Sequence, residues 1–267
     1  MNTQHAIRAL GGIVWRELLR FLNQRERFFA ALVRPLVWLI VFAAGFRAAL
    51  GLSIIAPYET YITYEIYIVP GLVGMVQLFN GMQSSLSMVY DQEMGSMRVL
   101  LTTPLPRWYL LLCKLGAGIA VSVVQVYAFL IIAILFGIDI PIMGLFWLPP
   151  ALLLSGLMLG ALGLLLSSVI RQLENFAGVM NFVIFPLFFL STALYPVWKM
   201  QESSALLATI CEWNPFSHAI ELIRFAMYGQ MNWLSLVVTV LTGLAFFFAA
   251  TIAYDPASKF RARRMPS

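Results

Sequence analysis

Few residues in this chain are able to do chemistry, and their spacing limits what kind. Only three aspartates are present, Asp91, Asp139 and Asp255. They form no Asp-rich cluster that would hold Mg²⁺ against a prenyl or phosphoryl substrate. The three lysines, Lys114, Lys199 and Lys259, follow Cys, Trp and Ser. None completes the GxxxxGK[ST] loop that cradles phosphates, so the chain does not itself bind ATP in that manner. HExxH and GxSxG are absent, and His5 and His218 read as ordinary surface or interfacial histidines. Cys113 and Cys211 make no metal or redox motif and read as small buried residues. No charged residue falls at the middle of an expected span, which argues against a proton-coupled carrier with a carboxylate relay. Two polar patterns remain. Gln77, Asn80, Ser84 and Ser87 share one helical face beside Gly71, Gly74 and Gly81, a pattern that serves either helix–helix contact or the lining of a pathway. With Gln125 and Asn181 added, Gln77 and Asn80 are the candidate pathway residues. The second pattern is the charged interruption from Tyr90 to Lys114.

The elements that position these residues follow from composition. The 267 residues are 61% hydrophobic and 11% charged, where a soluble domain carries about 25% charged residues. The expected class is an all-α membrane protein. With about 20 apolar residues per crossing, the length allows six spans with short connections. These are placed at about 28–50, 69–89, 108–136, 146–169, 175–194 and 233–254, within a single membrane domain over 28–254. Residues 1–27 show no h-region with a small-residue cleavage site. Ile7, Leu10, Val14, Leu18 and Phe21 recur there at helical spacing, with Arg8, Arg16, Glu17 and Arg20 on other faces, which predicts an amphipathic helix in the cytoplasmic interface. Arg34 lies about 9 Å inside the first span at 1.5 Å per residue and is expected to snorkel to the headgroups. Tyr58, Tyr61, Tyr64 and Tyr67 read as an interfacial aromatic belt.

Residues 195–232 resemble neither a span nor a soluble loop. Ala205–Ile210 is apolar but too short to cross. Asn214-Pro215 supplies an N-cap followed by proline at the first helical position. Ser217–Tyr228 then reads as a short helix on which Glu221 and Arg224 are spaced to pair. Re-entrant or interfacial helices are expected here. Residues 255–267 form a basic tail.

Charge orients these spans. Of 17 Lys and Arg residues, all but Arg47, Lys199 and Arg224 fall in the amino-terminal region, the 90–114 stretch, Arg171 or the tail. The acids divide evenly between the two sides. The positive-inside rule then puts both termini in the cytoplasm. It also accounts for the pI of about 9.4 without nucleic acid, for which no basic patch interleaved with aromatics exists.

The 90–107 stretch is thereby cytoplasmic. Asp91 and Glu93 are expected at the start of a short helix, where negative charge suits the dipole. Met94, Met97 and Leu101 would form its apolar face, and Pro104 and Pro106 its end. The run Asp91-Gln-Glu93-Met-Gly95-Ser-Met-Arg98-Val-Leu-Leu101-Thr-Thr-Pro104 resembles the coupling region of ABC-2 type exporter permeases. Two further runs do so as well. Leu190-Ser-Thr-Ala-Leu-Tyr-Pro196, followed by Asn214-Pro215-Phe216 and Arg224, is similar to that family's outer region, with Thr192 where glycine is customary. Tyr64–Gly74 is similar to the entry to its second span. The resemblance covers essentially the whole chain and is nearest to nodulation-factor, polysaccharide and drug export permeases.

That resemblance implies a transmembrane permease subunit of an ATP-binding cassette exporter in the bacterial inner membrane, moving an amphipathic, lipid-linked or drug-like substrate. It implies a second permease chain, as a homodimer. It also implies a separate ATPase subunit that binds ATP and Mg²⁺, so that this chain is a transport subunit rather than an enzyme. Asp91, Glu93, Met94, Gly95, Met97, Arg98, Leu101 and Pro104 would be its ATPase contact. Pro196, Asn214, Pro215 and Arg224 would mark the outer region. The alternatives are an ATP-independent channel, carrier or scramblase, or an importer permease, whose Glu-Ala-Ala-…-Gly loop is absent. A carboxy-terminal fusion tests the orientation: fluorescent protein is expected to fold and glow there, while alkaline phosphatase at the same point stays inactive.

Overall fold

The computed structural model describes residues 3–23, 25–46, 56–59, 62–93, 106–170 and 172–254. Every regular element among the described residues is a helix. In chain order these are α1 (Thr3–Asn23), α2 (Arg25–Phe46), α3 (Tyr64–Glu93), α4 (Arg107–Leu135), α5 (Ile142–Val169), α6 (Leu173–Phe189), α7 (Val197–Ser203), α8 (Ala205–Trp213), α9 (Pro215–Met227) and α10 (Trp233–Ala253). By length and composition α4, α5 and α10 can each cross a bilayer. The apolar stretch Leu32–Phe42 within α2, and α6, are shorter apolar helices. α3 is long enough, at 30 residues, but Gln77, Asn80, Gln83 and several serines interrupt its apolar character.

Local chemistry sets the boundaries. Pro106 and Pro141 lie just before α4 and α5 in extended conformation, where a proline ring tolerates a helix start. α5 therefore begins at Ile142, four residues earlier than the apolar run suggested. Asn214 caps α9 as expected, its Oδ1 accepting from Phe216 N at 2.9 Å. Asn232 caps α10 through Ser235 N at 3.1 Å. α3 extends beyond the expected 69–89 at both ends, and its last turn contains Asp91 and Glu93. These acids close a long helix and do not open a short one, so the dipole argument made for them does not apply. α6 stops at Phe189, five residues short of the expected 194, for a reason that lies in the site described below.

α5 is the axis of the bundle: α3, α4, α9 and α10 all pack on it. At the crossing of α3 on α5, glycine faces glycine. A Cβ on Gly81 would lie 3.0 Å from the backbone of Leu159 and Gly160, and one on Gly163 would lie 2.8 Å from Gly81 O. Without side chains between them the two backbones approach to contact, which is how helices gain packing energy where both surroundings are apolar. α1 lies along the start of α4, with Leu10 and Ile13 against Tyr109 and Cys113. Cys113 and Cys211 are both buried and unbridged.

The chain alternates between two ends. The turn end gathers 56–59, 62–64, 135–142 and 190–232: Gln230 Nε2 donates to Pro57 O at 3.5 Å, and Gly144 abuts Met227. The tail end gathers 169–170, 172–173 and Tyr254, whose hydroxyl meets Ser167 Oγ at 2.8 Å. At the turn end Gly71 is pressed onto Ala193, where an added Cβ would sit 2.3 Å from the carbonyl oxygen. Backbone cannot move aside as a flexible side chain can. Gly71→Ala is therefore expected to cost about 1–3 kcal/mol and to lower the thermal unfolding midpoint of the purified chain. Gly178→Ala, in open space, should be neutral or slightly stabilising, because alanine is the better helix former.

Candidate functional site

At the turn end the chain leaves α6 at Leu190 and makes a tight turn through Tyr195 before α7. A turn buried here must have its backbone groups satisfied, since an orphaned carbonyl costs as much as a lost hydrogen bond. Side chains from two distant segments, α3 and the capped helix α9, do this. Asn214 Nδ2 donates to Leu187 O at 2.8 Å and to Leu190 O at 2.6 Å, capping α6 and fixing where it ends. Tyr67 Oη and Arg224 Nη2 donate to Thr192 O at 3.1 and 2.8 Å. Tyr64 Oη donates to Leu194 O at 3.0 Å, and Thr192 N donates to Ser217 Oγ at 3.2 Å. The close approach that a glycine at 192 would have allowed is supplied from the other side, by Gly71 on α3.

Arg224 is the centre of this knot. It is 2% exposed, pairs with Glu221 one turn back on α9, and lies 4.2 Å from the Tyr67 ring centroid. Burial pushes its pKa down and is the largest single influence, but the Glu221 carboxylate, with Tyr67 and Tyr58, together outweighs it and leaves the pKa raised. Tyr58 closes the knot with its ring edge against Tyr228, and burial pushes its hydroxyl up to about 12. Tyr58, Tyr64 and Tyr67 were expected as an interfacial belt. All three are buried: Tyr64 and Tyr67 clamp the turn, while Tyr58 packs on Tyr67 and Tyr228 beside it; Tyr61 lies outside the described residues. Their spacing suits both arrangements, and only the partner 125 residues away decides. Of the four outer-motif residues, Pro196 precedes α7, Asn214 and Pro215 start α9, and Arg224 sits in its last turn.

Midway along the bundle a polar seam joins α3, α4 and α5. Gln77 Nε2 donates to Leu152 O at 2.9 Å, and Ser155 Oγ donates to Gln77 Oε1 at 2.6 Å. Asn80 Nδ2 donates to Gln125 Oε1 on α4. Below them Gly81, Ser84, Ser85, Gly118 and Ser122 border a void of about 10 Å³, space for roughly one water. Three of the candidate pathway residues, Gln77, Asn80 and Gln125, thus meet. Asn181 does not join them: it is exposed on α6, as are Gln83 and Ser87 on α3. Ser155, which locks Gln77, had no signal in the sequence beyond a small polar residue beside glycine. Among the coupling residues, Asp91 and Glu93 end α3, while Met94, Gly95, Met97, Arg98, Leu101 and Pro104 lie outside the described residues.

Apolar helices of spanning length, polar residues gathered into an interhelical seam and a capped turn at one end define a polytopic helical membrane protein. More narrowly, the chain belongs to the ABC-2 type transporter family, whose profile matches residues 8–228. It is accordingly a membrane component of an ABC transporter. It is 28% identical over 235 residues to "Putative transport permease ycf38" of Pyropia yezoensis, covering 85% of this chain and 76% of that one. It is 29% identical over 203 residues to "Probable multidrug ABC transporter permease YbhR" of Escherichia coli (strain K12), covering 71% of this chain and 53% of that protein. It is 20% identical over 224 residues to "Nodulation protein J" of Rhizobium leguminosarum bv. viciae, covering 82% and 84%.

Removing either partner of a buried ion pair strands the other. Arg224→Leu and Glu221→Gln are each expected to destabilise the chain by about 2–5 kcal/mol. The double variant should cost less than the two singles together, because residues in direct contact couple. Thermal unfolding of the purified protein in detergent reads all three.

Proposed function

We propose that this chain is the permease subunit of an ATP-driven exporter. It would cross the inner membrane of a bacterium six times, with both termini cytoplasmic, and work as a homodimer with two separate ATPase subunits that bind ATP and Mg²⁺. Family membership across residues 8–228 carries the reading. The charge distribution supports the orientation, and the names of the relatives, a multidrug permease and a nodulation protein among them, support an amphipathic cargo.

In this reading the coupling stretch 90–107 follows directly from α3. That helix is continuous over 30 residues, about 45 Å at 1.5 Å per residue, and holds the polar seam at its middle and the Arg224 knot near its start. A push at its far end would be delivered along a rigid rod to the knot and the seam together. Met94, Met97 and Leu101 would be buried in the ATPase contact, with Asp91, Glu93 and Arg98 setting charge and register. ATP-driven closure would then move helices as rigid bodies. Gln83, Ser87 and Asn181 are exposed on this single chain. Polar groups at membrane depth face protein or water, which favours a second chain and a hydrated route along α3 and α6.

Met97→Asp with Leu101→Asp tests the coupling. Pull-down of the cognate ATPase and stimulated ATP hydrolysis are both expected to be lost in the double variant while the chain still inserts. Retention of both would refute the docking assignment and favour an ATP-independent channel or carrier.

A further inference from the structure

Partway along the bundle, one exposed cation has no carboxylate partner among the described residues. Arg34, on α2, was expected to snorkel to the headgroups. Its guanidinium carbon instead lies 3.8 Å from the centroid of the Phe79 ring, and Phe79 is the sixteenth of the 30 residues of α3. The group therefore sits about halfway along the longest helix. A cation over a ring face is attracted by the ring quadrupole, but the ring supplies no hydrogen-bond acceptor and no negative charge. Among the described residues no carboxylate pairs with Arg34, and its side chain is exposed. A guanidinium keeps its charge and offers five donors, and this one holds its fork exposed over a ring face.

The surroundings are the outer faces of three helices. α3 packs against both α2 and α6. One turn along α2 from Arg34, Trp38 meets the edge of Phe189 on α6, with centroids 6.2 Å apart. One turn back along α6, Phe185 stacks on Phe189, and Asn181 follows another turn below. Phe185 and Asn181 are both exposed. From the Trp38–Phe189 contact, Arg34 with its Phe79 partner lies one turn back along α2 and Phe185 one turn back along α6, with an exposed amide a further turn along α6. A fixed cation and an amide set among aromatic rings match an acidic headgroup carried on an apolar body, because a phosphate takes charge-assisted bonds from a guanidinium fork.

We propose that the exposed surface formed by α2, α3 and α6 binds anionic amphiphiles, with Arg34 holding the phosphate or other acidic headgroup and Phe79 and Phe185 holding the apolar part. This names a substrate class for the export reading and rests on it. The test needs no ATPase, so its failure would leave the coupling experiment unaffected.

The full-length chain in phosphatidylcholine nanodiscs is exposed to a diazirine-bearing dodecyl phosphate or to the matching dodecyl alcohol, and labelled peptides are mapped by mass spectrometry. The phosphate probe is expected to label the peptides around residues 34, 79 and 185 about tenfold more than the alcohol, the size of one charge-assisted hydrogen bond. Arg34→Gln should bring phosphate labelling down to the alcohol level, and Arg34→Lys should keep part of the preference. Equal labelling by the two probes in the unmodified chain overturns the proposal. So does a preference that survives in monodisperse Arg34→Gln. Should that variant misfold, the two-probe comparison on the unmodified chain and on Arg34→Lys still decides. Nanodiscs containing phosphatidylglycerol separate the two sources of such a headgroup. Loss of labelling there makes a bilayer lipid the occupant, and persistence makes it a free amphiphile. Both results support the anion site.

Discussion

Arg224 is an ion with almost no water around it, and the turn end of the bundle is arranged to make that tolerable. Taking a guanidinium out of water costs several kcal/mol unless an opposite charge and good acceptors replace the solvent. Here Glu221 supplies the charge, Thr192 O the acceptor, and the Tyr67 ring a face. Each comes from a different part of the chain: α9 itself, the turn after α6, and the first residues of α3. The ion therefore cannot be buried until all three are in place. Accommodating it ties α3, α9 and the turn after α6 together at that end.

The same demand explains the glycines. A turn whose carbonyls are bonded from α3 and α9 must lie against both, and α3 reaches it only because Gly71 has no side chain to hold the backbones apart. Lower down, Gly81, Gly160 and Gly163 let α3 approach α5 closely enough for Gln77 to reach Leu152 O and Ser155. Between apolar surroundings on both sides there is no hydrophobic gain in joining helices, so shape fit and interhelical hydrogen bonds do that work. α3 is the element common to both places, and its polarity is the consequence. It carries the groups that other helices need, at some loss of its own apolar character.

Membership of a transport family gives this rigidity a use. A permease that changes the access of a cavity must move parts that keep their internal geometry, and packed cores switch between arrangements rather than deform continuously. The knot and the seam hold α3, α5 and α9 as one unit. The exposed polar residues lie away from that unit, on the faces of α3 and α6 that the single chain leaves uncovered.

Composition and pattern alone determined a good deal. The scarcity of charge and the apolar runs required a helical membrane protein, because only helices or closed barrels satisfy backbone groups in lipid. Asn214-Pro215 marked the start of α9, and Glu221 and Arg224 declared their pairing, because capping and i,i+3 contact are local and follow from spacing. The tertiary structure decided everything that depended on a distant partner. It took Tyr58, Tyr64 and Tyr67 from an expected interfacial belt into the knot, ended α6 at Phe189 through an amide 25 residues onward, joined Asn80 to Gln125, and moved Asp91 and Glu93 from the start of one helix to the end of another. It also set Arg34 on a phenylalanine about halfway along α3, where the sequence showed only a basic residue near the start of a span. A sequence lists donors, acceptors and charges, but which of them meet is set by how helices cross. Here those crossings were fixed by glycines whose facing partners only the folded chain reveals.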